Sequence, residues 1–417
     1  MKITLLTYGS EGDVQPFVEL GKGLVRAGYQ VTLAAPSKYE HLALGEQITF
    51  VAFPGDPQTL VQGLVDQAGG SWWRMVRSMS KFVLPLGVEV SQIARDACQD
   101  ADLIIHSFLL TNTGYEIARE KGIPDISAQT FPVFTNTSAF PAPVAPNLPL
   151  GSLYRRLTHE FVTQTFWQGS RLIYHWIRKE NPQLPPLTDW PFNKRNDWQT
   201  PILYAFSPNV VLSPEDWRED VHITGYWFSE NAGDWEPDAQ LIEFLENGPA
   251  PIAVAFGSTS TTKLNGILHK IADALKINDQ RGIIIGNKPE GLISPKVYWQ
   301  KGYIPYNWLF KRSAAVIHHG GAGTTGKALR AGIPNIILPF TSDQPFWGRQ
   351  VYKLGAGPKP ASPKRLNTAT LSKSISMAIT DQRMVAQAKR IGKDLRDEDG
   401  VQKAINIIQD IFGAFQE

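Results

Sequence analysis

His318-His319-Gly320-Gly321-Ala322-Gly323-Thr324-Thr325 is the stretch on which the fold of this 417-residue chain turns. An apolar run at 314–317 leads into it, and helix formers follow it up to Gly332, so the glycines fall at a strand-to-helix turn. Such a turn suits an anion. The first backbone N–H groups of a helix lack intrahelical partners and carry partial positive charge, and glycines let a phosphate approach them closely. Thr324 and Thr325 can add hydroxyl donors. A cradle of this kind requires no metal, and none is expected. A glycine-rich turn alone is equally a plain tight turn, so the surrounding sequence has to decide.

Three further motifs do. Asp343-Gln344-Pro345-Phe346 lies one helix length beyond the glycines, and Gly302-Tyr303-Ile304-Pro305-Tyr306-Asn307-Trp308-Leu309-Phe310 lies just before them. At the other end of the chain, Gly9-Ser10-Glu11-Gly12-Asp13-Val14-Gln15-Pro16 follows an apolar strand at 3–7. Together these resemble the motifs of family-1 glycosyltransferases, in the branch that holds sterol glucosyltransferases and antibiotic glycosyltransferases. The likeness spans nearly the whole chain. Glu11 stands where a basic residue is common, and Asn307 replaces the acidic residue usual in the sterol-type branch.

The resemblance implies an α/β fold of two Rossmann-like parallel-sheet domains facing across a cleft, the GT-B type, whose last helix returns to the first domain. It implies an inverting transfer of a hexose, glucose above all, from a UDP-sugar to a lipophilic hydroxyl such as that of a sterol, hopanoid, carotenoid or polyketide. UDP-glucose is then a co-substrate, and no cofactor is expected. Matched to the family pattern, Asp13 is the general base, and Ser258, His319, Gly321, Gly323 and Thr324 hold the donor diphosphate. Tyr303 stacks on the nucleobase while Ile304 pairs with it through the backbone, and Asp343 and Gln344 bind the sugar. Simpler readings stand beside these. Asp13 suits a cap for a helix starting near Val14, Asp343 a cap before Pro345, and Ser258 a turn at a strand end.

Composition sets wide bounds. The chain is long enough for two domains of about 200 residues, each with its own core. A net charge of +2 gives no reason to expect a nucleic-acid partner. One cysteine, Cys98, rules out an internal disulfide and fits a reducing compartment. Residues 1–6 run straight into a strand, which reads as a cytoplasmic protein without a signal segment. No stretch supplies the roughly 20 apolar residues of a membrane span, and the uncharged region 126–154 is broken by Pro132, Pro141, Pro143, Pro146 and Pro149.

Strand candidates at 3–7, 30–35, 49–52, 103–106 and 125–128 alternate with helical segments, the pattern of a parallel sheet. A second series, at 252–256, 282–285, 314–317 and 335–338, predicts a second sheet. Between them, 131–208 reads as a Pro-rich and aromatic insertion with one helix near 153–178, and 213–249 as a linker. The expected division is an acceptor domain over 1–220, a donor domain over 221–398, and a helix over 399–417 that crosses back. Trp72, Trp73, Phe131 and Phe134 mark the acceptor region. The amphipathic stretch 72–83, with Trp72 and Trp73 among interleaved basic residues, admits three readings: core packing, acceptor wall, or peripheral contact with a membrane. Two other functions stay open at this point, a UDP-sugar epimerase of similar build and a silent protein that binds lipid or nucleotide sugar.

Overall fold

The structure, a computed structural model, describes residues 1–56, 84–180, 182, 187, 189–193, 198–229, 235–257, 261–291 and 294–416. The chain forms two compact units. The first comprises Met1–Ala205, Ser213–Trp227 and Asp399–Glu417, and the second Phe206–Leu212 and Phe228–Glu398.

In the first unit, β1 (Lys2–Leu6), β2 (Gln30–Pro36), β3 (Ile48–Phe53), β4 (Leu103–His106), β5 (Asp125–Gln129), β6 (Ile202–Tyr204) and β7 (Val221–Ile223) make one sheet. Its order is β3-β2-β1-β4-β5-β6-β7, with every pair parallel. The near-continuous burial of β1, β4 and β5 is what a parallel sheet covered on both faces demands. The unit's described helices before β6 are α1 (Glu11–Arg26), α2 (Leu84–Ala97), α3 (Thr111–Lys121) and α4 (Gly151–Glu180). Beneath the sheet, His106 Nε2 and Asp125 Oδ2 meet at 2.8 Å in a fully buried pair, and Trp198 and Thr200 also donate to Asp125.

The second unit repeats the plan. α5 (Ala239–Glu246) precedes β8 (Ile252–Ala255), α6 (Thr261–Ile277), β9 (Gly282–Ile285), β10 (Val297–Gln300), α7 (Tyr306–Phe310), β11 (Ala315–His318), α8 (Ala322–Ala331), β12 (Asn335–Ile337), α9 (Gln344–Lys353), α10 (Thr368–Thr380) and α11 (Gln382–Arg396). Its sheet is parallel in the order β10-β9-β8-β11-β12. The final helix, α12 (Gly400–Gln416), belongs to the first unit, where Ala404, Ile405 and Ile408 share a core with Leu20 and Leu24 of α1.

Three expectations need correction. Residues 213–249 are not an unstructured linker, because they contain the edge strand β7 and the helix α5. The first sheet therefore runs past the expected division at 220. The region up to 208 is not all insertion either: Leu203, Tyr204 and Phe206 are fully buried core. α1 starts at Glu11 and not near Val14, with Ser10 as its N-cap.

Close packing of α12 depends on glycine. A Cβ on Gly23 would come within 2.3 Å of Val401 Cγ1 and 3.0 Å of Ile405 Cδ1. Alanine improves helix propensity by about 1 kcal/mol, but overpacking against a stiff β-branched side chain costs about 1–3 kcal/mol. Gly23→Ala is expected to lower stability, measurable as an earlier denaturant midpoint.

Candidate active site

In an open parallel sheet, ligands bind beyond the strand carboxyl ends where the strand order reverses. That point lies between β8 and β11 in the second unit. Residue Gly257 follows β8 and His319-Gly320-Gly321 follows β11. Gly320 has φ +89°, and a Cβ there would strike Ile337 Cγ2 at 2.7 Å and the carbonyl oxygen of Gln344 at 3.1 Å. Glycine is required at this position. Gly321 is the N-cap of α8 and brings no side chain to cap it, which leaves the first-turn N–H groups for another acceptor. A Cβ on Gly321 would lie 2.6 Å from His319 Nε2, so the imidazole edge sits directly against the helix start. At Gly323 there is open space.

The two histidines have separate roles. His318 is fully buried; its Nδ1 accepts the N–H of Gly320 at 3.1 Å, so its Nε2 carries the proton toward Asn335 Oδ1 at 3.0 Å. It shapes the turn and does not reach a ligand. His319 is partly exposed at the cradle. Burial pulls its pKa down to about 4 against the opposing pull of the Ala255 carbonyl, and burial with the neighbouring His319 takes His318 to about 3. Both rings are neutral at pH 7, so His319 offers an N–H and not a full charge. Thr324 is partly exposed at the helix start, but Thr325 is fully buried with its hydroxyl sealed inside, which removes it as a donor.

Asp343 occupies the N-cap position of α9 but does not cap with its side chain. Its Oδ2 instead accepts the indole N–H of the fully buried Trp347 at 2.7 Å. Gln344 Oε1 accepts the backbone N–H groups of Phe340 at 2.8 Å and Thr341 at 3.2 Å, which turns the amide nitrogen into the end able to donate outward. Ser342, just before the pair, holds φ +58°, a costly conformation for a non-glycine residue that fixes the direction of the loop. Tyr303 exposes most of its ring and accepts the indole N–H of Trp235 on its carbonyl. The Ile304 side chain is buried in the core, so only its backbone is available. Ser258, Trp72 and Trp73 lie outside the described residues.

In the first unit, the reversal falls between β1 and β4. Asp13 stands there, at the third helical position of α1. Its Oδ2 accepts both the backbone N–H of Ser10 at 2.8 Å and the Ser10 hydroxyl at 2.9 Å. A Cβ on Gly9 would approach this carboxylate to 2.4 Å. Burial raises the Asp13 pKa above the usual carboxylate range, although both Ser10 hydrogen bonds favour the ionised form. Along the same edge, Phe108 follows β4, and Phe131 and Phe134 follow β5. Phe108 centroids lie 5.5 Å from Phe131, 5.3 Å from Phe134 and 4.8 Å from Phe166 of α4. Phe134 itself takes φ +68°. Phe166 is among the first-domain aromatics that the sequence offers for acceptor recognition, whereas Phe108 was not among the sequence-predicted site residues; its signal was its place just past a strand end, like that of Phe131.

Comparisons with known proteins identify the family. Residues 3–139 match the Glycosyltransferase family 28 N-terminal domain, and residues 286–409 match the Erythromycin biosynthesis protein CIII-like, C-terminal domain. The O-mycaminosyltylonolide 6-deoxyallosyltransferase of Streptomyces fradiae is 34% identical over 98% of this chain and 97% of its own length. The chain belongs to the family-1 glycosyltransferases. Sterol 3-beta-glucosyltransferases of Emericella nidulans and Debaryomyces hansenii are 34% and 35% identical over 98% and 97% of the chain, which spans 30% and 26% of their length. Among solved structures, spinosyn forosaminyltransferase superimposes with a TM-score of 0.70 at 15% identity over 99% of both chains. The kitacinnamycin glycotransferase gives 0.68 at 18% identity over 98% of both chains, and these likenesses establish the GT-B fold.

For a family-1 glycosyltransferase the donor is a nucleotide sugar, and two glycines of the cradle should respond differently. Gly323→Ala meets no atom and improves helix propensity by up to about 1 kcal/mol. Its melting temperature should hold or rise, while the upward shift produced by a nucleoside diphosphate shrinks. Gly320→Ala should lose about 1–3 kcal/mol of stability before any ligand is added.

Proposed function

We propose that the protein transfers glucose from UDP-glucose to the hydroxyl of a bulky apolar acceptor, with inversion at the anomeric carbon and without a metal. The observation that carries this reading is the uncapped start of α8, flanked by neutral His319 and by the oriented Asp343–Gln344 pair. The α8 N–H groups of Ala322, Gly323 and Thr324 and the His319 N–H would receive the diphosphate, and neutral donors aimed at developing charge lower the barrier to its departure. Asp343 can accept from sugar hydroxyls and Gln344 can donate to them, which suits a fully hydroxylated ring. The exposed Tyr303 ring offers a face for stacking on uracil.

On the acceptor side, the aromatic group of Phe108, Phe131, Phe134 and Phe166 is suited to an apolar ring system. The names of the relatives point the same way: one acts on a tylonolide derivative, others on sterols. Asp13 would take the proton of the attacking hydroxyl. The acceptor oxygen then bonds to the anomeric carbon, the bond from that carbon to the diphosphate oxygen breaks, and the electron pair leaves with UDP. A base works best with a pKa near the working pH, so the burial that raises Asp13 improves it for this task.

Three outcomes test the reading. With UDP-glucose and a panel of sterol, hopanoid and macrolide alcohols, product should form as the β-glycoside and at an unchanged rate in EDTA. Turnover restricted to epimerisation, or confined to small polar acceptors, would overturn it. His319→Ala should lose both donor binding and rate, read as a smaller thermal shift with UDP. Asp13→Asn should keep donor binding and lose rate by roughly 100-fold or more. Because the folded-state pKa of Asp13 is raised, its stabilising contribution is complete below the ordinary carboxylate value and is lost as pH rises through the raised one. Asp13→Asn should therefore melt at or above the wild type at pH 7, and the difference should shrink toward pH 4.

A further inference from the structure

The 30-residue helix α4 has two unlike faces. One is packed: His159, Trp167, Tyr174 and Ile177 are buried against the unit. The opposite face carries Leu153, Leu157, Phe161, Leu172 and Trp176, exposed by between 44% and 73%, with Leu150 exposed just before the helix. Spacings of four within Leu153–Phe161 and within Leu172–Trp176 place these side chains in two groups on the outer side of the helix, separated by the exposed polar Gln164, Thr165 and Gln168. Among the described residues no other element packs over these side chains, and two groups of large exposed apolar side chains on one helix are uncommon on a free surface.

Charge identifies what this face meets. α4 contains Arg155, Arg156, Arg171, Arg178 and Lys179 against Glu160 and Glu180, a net charge of +3. The whole chain is +2, so the rest of the protein is close to balanced at −1 and the net positive excess lies on this helix. Arg171 and Lys179 are exposed beside the apolar groups, whereas Arg156 turns back to pair with Asp216. A second copy of the chain applied to the same face would set these cations against one another. Apolar side chains flanked by cations, with a tryptophan near one end, fit the boundary between acyl chains and anionic headgroups. None of the described helices is long and apolar enough to cross a membrane, so contact here means lying in its surface.

We propose that the outer face of α4 docks the enzyme on an anionic lipid bilayer. Phe166, on the same helix, reaches the aromatic group at the ends of β4 and β5, so docking sets that group beside the source of an apolar alcohol. The docking face does not depend on which alcohol accepts the sugar.

The test is flotation of the full chain with vesicles of phosphatidylcholine alone and of phosphatidylcholine mixed with phosphatidylglycerol. Wild type should float with the mixed vesicles, far less with the neutral ones, and less in high salt. L157E with F161E should abolish flotation while leaving the melting temperature and the thermal shift with UDP unchanged. R171E with K179E should lower partitioning to anionic vesicles by roughly tenfold or more. Transfer to an acceptor dissolved in detergent should be unaffected by either pair, which separates failure of docking from failure of the functional reading. Wild type that stays unbound, or L157E with F161E floating like wild type, would overturn the proposal. So would a wild-type dimer that this pair converts to monomer, which would assign the face to a second copy, or a large drop in its melting temperature, which would assign it to the chain's own packing.

Discussion

Every strand in both sheets runs parallel, and that constraint governs where chemistry can occur. Parallel neighbours cannot be joined by a tight turn, so the chain leaves each strand at its carboxyl end and returns across a face of the sheet. β1 and β8 each have an earlier crossover on one side and a later strand on the other, and the order reverses there. In open parallel sheets a ligand crevice lies outside the strand ends at such a reversal. Asp13 and Phe108 stand at the first, Gly257 and His319 at the second. The glycines are consequences of the same geometry. Gly9 and Gly320 sit where the chain leaves a strand and meets a carboxylate or a backbone carbonyl too closely for a Cβ, and both positions supply the start of a helix.

Much of this was legible in the sequence because the informative residues lie close together in the chain. The strands before the glycine turns, the turns, and the helix after them form one continuous signal each. The pairs that complete the sites are of two kinds. Asp343 and Trp347 are four residues apart at a helix start and could have been paired from spacing alone. His318 with Asn335, and His106 with Asp125, join neighbouring strands, and no local pattern announces them. β6, β7 and β10 escaped notice for a related reason. With three or four residues each, they are too short to show a period, and Ile202–Tyr204 becomes a strand only because β5 and β7 are there to pair with it. α5 was hidden by the prolines and glycines around it. Thr325 was misassigned because its place beside Thr324 says nothing about direction: one step along the helix turns the side chain from the helix mouth into the core.

Burial acts on the candidate groups of the two units in opposite chemical senses. In the second unit it depresses both imidazoles, so the turn before α8 presents neutral dipoles: the uncapped N–H groups of α8 and the N–H of His319. In the proposed reaction such donors would attract a diphosphate without a fixed cation that would also hold the product, and would strengthen as charge develops on the departing oxygen. In the first unit the same loss of solvent raises Asp13, and Ser10 limits the rise with two hydrogen bonds to one carboxylate oxygen. A carboxylate stabilised too well is a weak base, and one without any partner would be protonated before the acceptor arrived. Ser10 therefore both starts α1 and sets how basic Asp13 can become, and the turn that fixes the fold of the first unit also tunes the group proposed to take the proton.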